Sequence, residues 1–225
     1  MFKKKILCYI PARKGSKRLI NKNLKKINGK SLIEITILQA IKSKIFEDII
    51  LSSDSKKILN IGKKLNITCV ERSKKNSNNL ATTDSALLET LSKYNKKYDY
   101  IVLLQVTSPL RKLSTIKLFI NYCLKKKLQN CLTVTEITEN IAYPNKSYFF
   151  PLKKKRQRTQ DKKPYLIENG LIYFFSKYQF LKNKRIFFRK KWNVFVTDKY
   201  ESIDINTKKD YLICKKLKEK NDAKI

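Results

Sequence analysis

No histidine occurs among the 225 residues, and the five cysteines (Cys8, Cys69, Cys123, Cys131 and Cys214) are scattered without a Cys-x-x-Cys pair. Together these absences exclude Ser-His and Cys-His catalysis and a zinc site of ordinary type, all of which draw on those side chains. An odd, dispersed cysteine set also argues against a disulfide framework. It reads as small core hydrophobes in a reducing compartment, the cytoplasm. No apolar run approaches the ~20 residues of a membrane span. Met1-Phe2-Lys3-Lys4-Lys5 followed by Ile6–Ile10 superficially resembles a signal peptide. The apolar stretch is too short for one and runs into Pro11-Ala12-Arg13-Lys14 with no small-residue cleavage site, so it reads as a buried first strand.

Acidic residues are scarce too: 18 against 52 lysines and arginines, for a formal charge of +34. Such a balance invites a nucleic-acid partner. The lysines are spread along the whole chain, however, as general compositional drift produces, so the charge reads as a solvated surface. It leaves a positive field that favours ligands carrying phosphate or carboxylate. At 42% hydrophobic and 31% charged, the chain is globular and long enough for one α/β domain.

What is present is a regular alternation over the first 135 residues. Strands are expected at Ile6–Ile10, Asp48–Ser53, Ile67–Val70, Tyr100–Leu104 and Cys131–Thr135. Helices are expected between them: from a capping box at Ser31-Leu32-Ile33-Glu34 to Ser43, over Ser55–Leu65, from a cap at Thr83-Asp84, and from Ser114 to Lys126. Alternation of this kind predicts a mostly parallel, Rossmann-like sheet with helices on both faces and ligands at the carboxyl ends of the strands. Residues 140–168 break the pattern with prolines, aromatics and the charge run Lys153-Lys154-Lys155-Arg156-Gln157-Arg158. They read as a surface loop or an arm reaching a second subunit. Strands return at Leu171–Phe175, Asn193–Val196 and Ser202–Ile205, before a last helix from about Thr207. No repeat or linker divides the chain, so residues 1–225 are expected to form one domain with an insertion.

The first strand empties into Pro11-Ala12-Arg13-Lys14-Gly15-Ser16-Lys17-Arg18. With a single glycine this is neither a Walker loop nor a Gly-x-Gly-x-x-Gly turn. Its backbone N–H groups and cations suit a triphosphate, and they equally suit an exposed basic turn. The segment from Ile10 to Arg18, with Asn21-Lys22-Asn23-Leu24, resembles the amino-terminal signature of the CMP-sialic acid synthetase (acylneuraminate cytidylyltransferase) family. The likeness continues in order through Gly29–Ile33, Ser52-Ser53-Asp54, Leu80–Asp84, Leu103–Arg111, Glu168–Tyr173 and Ser202–Thr207, and spans about Ile6 to Leu217.

The resemblance implies a sheet of the nucleotide-diphospho-sugar transferase type and transfer of CMP from CTP to an acidic nine-carbon sugar. It implies Mg²⁺ as cofactor and a homodimer exchanging the 140–168 arm, with no membrane partner. By position it assigns Ala12, Arg13, Ser16, Lys22, Asn23, Arg72 and Thr82 to the nucleotide, with Lys22, Arg13 and Asp204 as the catalytic groups. It assigns Gln105, Arg111, Asn169, Arg156 and Arg158 to the sugar, with Gln160 and Asp161 in the same arm segment. For Arg111 a role tying loops together is equally open.

The chain departs from the family at its metal site. Where two aspartates two residues apart are expected, it carries Asp204 and Asn206, and an amide oxygen can coordinate a cation without adding charge. Asp210, one turn into a helix, is a helper or a fold-supporting group. The rival readings are a CMP-Kdo synthetase, a nucleic-acid-binding module centred on Lys153–Arg158 after Tyr148-Phe149-Phe150, and a decayed relative that holds CTP without turning it over.

Overall fold

The computed structural model describes residues 4–16, 18–78, 80–94, 96–139, 141–145, 148–151, 158, 160, 163–188 and 191–222. Among the described residues, eleven strands and six α-helices follow in chain order: β1 Ile6–Pro11, β2 Lys26–Ile27, β3 Lys30–Ser31, α1 Leu32–Ser43, β4 Asp48–Ser53, α2 Lys56–Lys64, β5 Thr68–Glu71, α3 Thr83–Lys93, β6 Tyr100–Leu104, α4 Leu113–Lys125, β7 Asn130–Ile137, β8 Ala142–Asn145, β9 Tyr148–Pro151, β10 Tyr165–Ser176, α5 Lys177–Asn183, β11 Asn193–Val196 and α6 Lys208–Asp222.

Seven strands form one sheet in the order β11-β7-β10-β6-β1-β4-β5. Strand β1 pairs in parallel with both β4 and β6, β4 with β5, and β11 with β7; β10 alone runs antiparallel, to β6 and β7. The mostly parallel expectation therefore holds. Its physical basis is visible in β1, where every residue from Ile6 to Ile10 is buried. Side chains alternate across the strand: Ile6, Cys8 and Ile10 pack with α1, α2, α4 and α6, while Leu7 and Tyr9 pack with α3 and α5. Both faces are thus covered by helices.

Local chemistry sets the helix starts. Ser31 and Glu34 make the expected capping box: the Ser31 Oγ accepts from the Glu34 N–H, and the Glu34 carboxylate accepts from the Ser31 N–H at 2.7 Å. Ser55 caps α2 singly, its Oγ accepting from the Ile58 N–H at 3.5 Å. For α3 the cap is Thr82, one residue ahead of the expected Thr83-Asp84; its Oγ1 accepts from the Ser85 N–H at 3.1 Å. Asp84 is instead used at long range, accepting from the Ile186 N–H at 2.9 Å. Helix α2 lies so close to the sheet that a Cβ at Gly62 would meet Cys69 Sγ at 2.6 Å and Leu51 Cδ2 at 2.7 Å.

One expected strand needs correction. Ser202–Ile205 is not a strand. The segment has no ladder partner and is tied down at single points, as where the Ile205 N–H donates to the Thr107 carbonyl at 2.9 Å. Residues Tyr165–Glu168 pair with β7, while β8 and β9 form their own two-stranded sheet. Among the described residues no helix is long and apolar enough to cross a membrane.

Candidate active site

The loops leaving the carboxyl ends of β1, β5 and β6 surround a cleft of about 770 Å³, where parallel sheets place their ligands. Arg13, Ser16, Lys22, Asn23, Arg72, Thr82 and Gln105 all line it. Four cations (Arg13, Arg18, Lys22 and Arg72) face it against one acid, Asp84, so it favours a polyanion. The glycine in the first loop has nothing within 4 Å of a built Cβ. Its value there is the open backbone, not a tight fit. Asp54 accepts from the Lys14 N–H at 2.6 Å, and the Asn23 amide donates to the Arg13 carbonyl at 2.9 Å. These bonds shape the loop around its cations.

Lys22 is the most constrained of them. Its Nζ donates to the Ile205 carbonyl at 2.8 Å, joining the first loop to the segment that carries Asp204. Burial lowers its pKa, the neighbouring Arg18 and Arg13 add to that, and the Asp204 carboxylate opposes it. Arg72 is held by its Nε, which donates to Ser52 Oγ at 3.0 Å, while its buried Nη2 has no hydrogen-bond partner among the described residues. Thr82 accepts with its hydroxyl oxygen as a helix cap and keeps the proton to donate.

A second cavity, of about 570 Å³, shares Gln105 and Tyr173 with the first and adds Glu168, Asn169, Lys199, Asp204 and Asn206. The Tyr173 hydroxyl donates to Glu168 Oε1 at 2.6 Å and accepts from Gln105 Nε2 at 3.4 Å. Burial, followed by the adjacent Glu168 carboxylate, pushes its pKa up, so it remains a donor. Gly170, at φ +68°, lies against Gln105; a Cβ there would sit 3.3 Å from Oε1. The left-handed backbone at this point lets β10 pass the Gln105 side chain.

Asp204 fits a divalent cation. Its Oδ2 accepts from Asn206 Nδ2 at 2.5 Å, and its buried Oδ1 has no partner among the described residues. Mg²⁺ is commonly held by one or two carboxylates together with substrate phosphates; Asp204 offers one, while the cavity's other acid, Glu168, is engaged by the Tyr173 hydroxyl. No cluster of three or more acidic, cysteine or histidine side chains suited to a metal occurs among the described residues. Asp210 does not face this site. Its Oδ2 accepts from the N–H groups of Asn206 and Thr207 and from the Thr207 hydroxyl, so it serves the start of α6.

Several expected site residues sit elsewhere. Ala12 is buried, its N–H donating to the Ser52 carbonyl and its carbonyl accepting from Ser53 Oγ at 2.6 Å. Arg111 lines neither cavity and is 2% exposed. It donates to the carbonyls of Leu171 (2.7 Å) and Gln105 (3.3 Å) and to Gln39 Oε1 (3.0 Å), and burial pushes its pKa down to about 10. Of the two roles left open for it, the geometry gives it the structural one. Asn169 borders the second cavity, yet its Nδ2 donates to Thr135, Thr197 and Ser202, and its Oδ1 accepts from Thr133 Oγ1 and the Leu171 N–H. It holds β7, β10 and the 197–202 turn together, with its amide committed. Arg158 and Gln160 are exposed and line neither cavity. Arg156 and Asp161 lie outside the described residues.

Sequence reasoning missed Tyr173, Glu168, Arg18 and Phe187 as site residues. The first three lie inside quoted motifs. Phe187, packed edge-on to Tyr173 with ring centroids 6.1 Å apart and tilted against Trp192, comes from an apolar interruption in a lysine-rich loop.

The sequence can now be set beside known proteins. The model of the cytidylyltransferase family matches residues 7–223. N-acylneuraminate cytidylyltransferase of Streptococcus agalactiae serotype III is 34% identical over 92% of this chain, which spans about half (52%) of that longer relative. Pseudaminic acid cytidylyltransferase of Campylobacter jejuni is 31% identical over 92% of this chain and 93% of its own. The CMP-N,N'-diacetyllegionaminic acid synthase of Legionella pneumophila is 32% identical over 96% of this chain and 97% of its own. Among solved structures, a CMP:2-keto-3-deoxy-manno-octonic acid synthetase complexed with CTP superposes with a TM-score of 0.75 at 16% identity, covering 96% and 99% of the two chains. The 4-diphosphocytidyl-2C-methyl-D-erythritol synthase of Anaerococcus prevotii follows at 0.71, also at 16% identity, over 96% of each. These two show the same nucleotidyltransferase fold. With a basic cleft at the carboxyl edge of that sheet, and a family match over nearly its whole length, the chain belongs to the cytidylyltransferase family.

Proposed function

We propose that the protein transfers CMP from CTP to the anomeric hydroxyl of a nonulosonic, sialic-type acid and releases pyrophosphate. One observation carries the reading: a cationic cleft of about 770 Å³ shares the walls Gln105 and Tyr173 with a second cavity, and Asp204 lines that second cavity. The geometry suits an acceptor sugar held beside the α-phosphate. The relatives at 31–34% identity named above act on N-acylneuraminate, pseudaminate and diacetyllegionaminate, and they favour this acceptor class over 2-keto-3-deoxy-manno-octonate.

In this reaction the sugar hydroxyl oxygen attacks the α-phosphorus, the bond to the leaving pyrophosphate breaks, and the hydroxyl proton passes to a base. Asp204 takes that proton on its unpaired carboxylate oxygen. Lys22, Arg13 and Arg18 face the developing phosphate charge from the first loop, in a cleft where fixed cations need no reorganisation. Lys22 must be protonated for this, and Asp204 beside it favours that form against the cost of burial. Arg72 and Thr82 hold the nucleotide on the far wall, and Gln105 with Tyr173 positions the acceptor. Mg²⁺ would be held chiefly by the nucleotide's own phosphates, beside Asp204, and would draw charge from the phosphate oxygens.

Two further parts belong to the same reading. The protein is a homodimer whose 140–168 arm, bearing Arg156 and Arg158, serves the neighbouring subunit; equilibrium sedimentation at the monomer mass would contradict this. Its location is the cytoplasm, a view supported by five free cysteines. The activity is tested by pyrophosphate release from CTP with a panel of nonulosonic acids. Release that requires one of those acids is the expected result, and release with 2-keto-3-deoxy-manno-octonate alone would reassign the acceptor.

A further inference from the structure

The side chain that departs from the expected metal pair is more tightly engaged than a ligand awaiting a cation. Asn206 Nδ2 donates to Asp204 Oδ2 at 2.5 Å, and Asn206 Oδ1 accepts from Arg18 Nη2 at 2.9 Å. Its backbone N–H is also fixed, by Asp210 at 3.0 Å. The two neighbours dictate the amide's orientation: a carboxylate must receive a donor and a guanidinium must meet an acceptor. Only a side chain carrying both can bridge them. An aspartate at 206 could pair with Arg18, but it would set two carboxylates against each other, an arrangement that demands a counter-cation.

From this geometry we infer that Asn206 is a positioning residue: with Arg18 it holds Asp204 in place without any divalent cation, so that the protein alone has little affinity for one. The inference rests on the reading of Asp204 as the acid of the active site. The Arg18–Asn206–Asp204 chain performs the service that a metal ion performs between paired carboxylates, and it leaves Asp204 Oδ1 as the one unpaired carboxylate oxygen of the pair. A cation would then enter with the nucleotide's phosphates, which supply the remaining oxygen ligands and most of the charge. The arrangement also ties the first loop to the segment before α6, because Arg18 and Lys22 grip Asn206 and Ile205 respectively.

The test uses metal-free protein with and without CTP. Mn²⁺ binding is followed by the loss of free-ion electron paramagnetic resonance signal, and thermal unfolding is recorded in chelator and in MgCl₂. For wild type we expect weak Mn²⁺ binding alone, tightened at least about tenfold by CTP beyond what CTP binds in a protein-free control, and a melting temperature unmoved by MgCl₂. Asn206→Asp should bind Mn²⁺ without nucleotide about tenfold more tightly than wild type. It should also melt lower in chelator and recover when MgCl₂ is added. Wild type that binds Mn²⁺ without CTP as tightly as Asn206→Asp, or that is stabilised by MgCl₂ to the same degree, would overturn the inference. Arg18→Gln provides a second check, since its loss should lower the melting temperature of wild type but not of Asn206→Ala; equal losses in both backgrounds would also overturn it. CTP binding is measured on the same samples, so failure of the nucleotide reading appears as absent CTP binding while the metal-alone comparison still stands.

Discussion

Replacing Arg111 by methionine separates a structural role from a catalytic one. The guanidinium is buried and bonds to three oxygens, on Leu171, Gln105 and Gln39. Methionine fills similar space but donates nothing, and each buried acceptor left unpaired costs about 2 kcal/mol. Against this, the variant no longer buries a cation, a penalty expressed in the drop of the Arg111 pKa to about 10 and corresponding to about 3 kcal/mol. The net loss is therefore about 3 kcal/mol, or about 6–12 °C in melting temperature for a chain of this size. Glu201, which helps to balance the buried charge, keeps its own partners: the Lys112 N–H at 2.9 Å and the Thr115 hydroxyl at 2.8 Å. It adds no second penalty. Calorimetry gives the stability, and pyrophosphate release at a temperature where the variant is fully folded gives the turnover. We expect a large fall in melting temperature with kcat retained within about threefold. A variant of unchanged stability that has lost turnover a hundredfold would refute the reasoning and return Arg111 to the chemistry.

Other consequences follow from the same geometry. Gly170→Ala should cost about 1–2 kcal/mol, because its φ of +68° suits glycine and the added methyl presses on Gln105. Acceptor KM should rise while CTP affinity holds, which initial-rate kinetics with each substrate varied will show. Asp204→Asn removes the proposed base and should lower turnover at least about a hundredfold, with CTP binding by titration calorimetry little changed. Glu89 should govern part of the acid sensitivity. Burial pushes its pKa up, but bonds from Lys93, Asn76 and Ser73 outweigh this and hold it at about 2. A carboxylate depressed on folding stabilises fully above its unfolded range near pH 4.5, and the benefit fades as pH falls toward 2. Thermal melts of Glu89→Gln should therefore lie below wild type at pH 7 and converge with it near pH 2, and a constant gap would contradict the assignment.

The fold was largely legible because its signals are local or periodic. The capping box of α1 is written in four consecutive residues, and the all-apolar runs Ile6–Ile10 and Tyr100–Leu104 can only be buried central strands. Helix α5 escaped because it is seven residues long and buries only Phe180, too short to show a period. Ser202–Ile205 alternates like a strand, but its polar residues are spent on loop contacts: Ser202 on Thr135 and Asn169, Asp204 on Asn206. The cations of the first cleft were readable because they follow strand ends. In the second cavity Gln105, Asn169 and Asp204 were named from sequence, but Tyr173 and Glu168 were not, since they join them only after β10 turns antiparallel beside β6. The same distance in sequence hid the commitment of Asn169 and Arg111, most of whose partners lie 28–72 residues away.

The central claim is tested most directly by pyrophosphate release from CTP and Mg²⁺ with each of several nonulosonic acids, 2-keto-3-deoxy-manno-octonate and no sugar, in wild type and Asp204→Ala. The account predicts release that depends on both CTP and one nonulosonic acid and is lost in the variant. Folded wild-type protein that binds no CTP and releases no pyrophosphate with any sugar would contradict it.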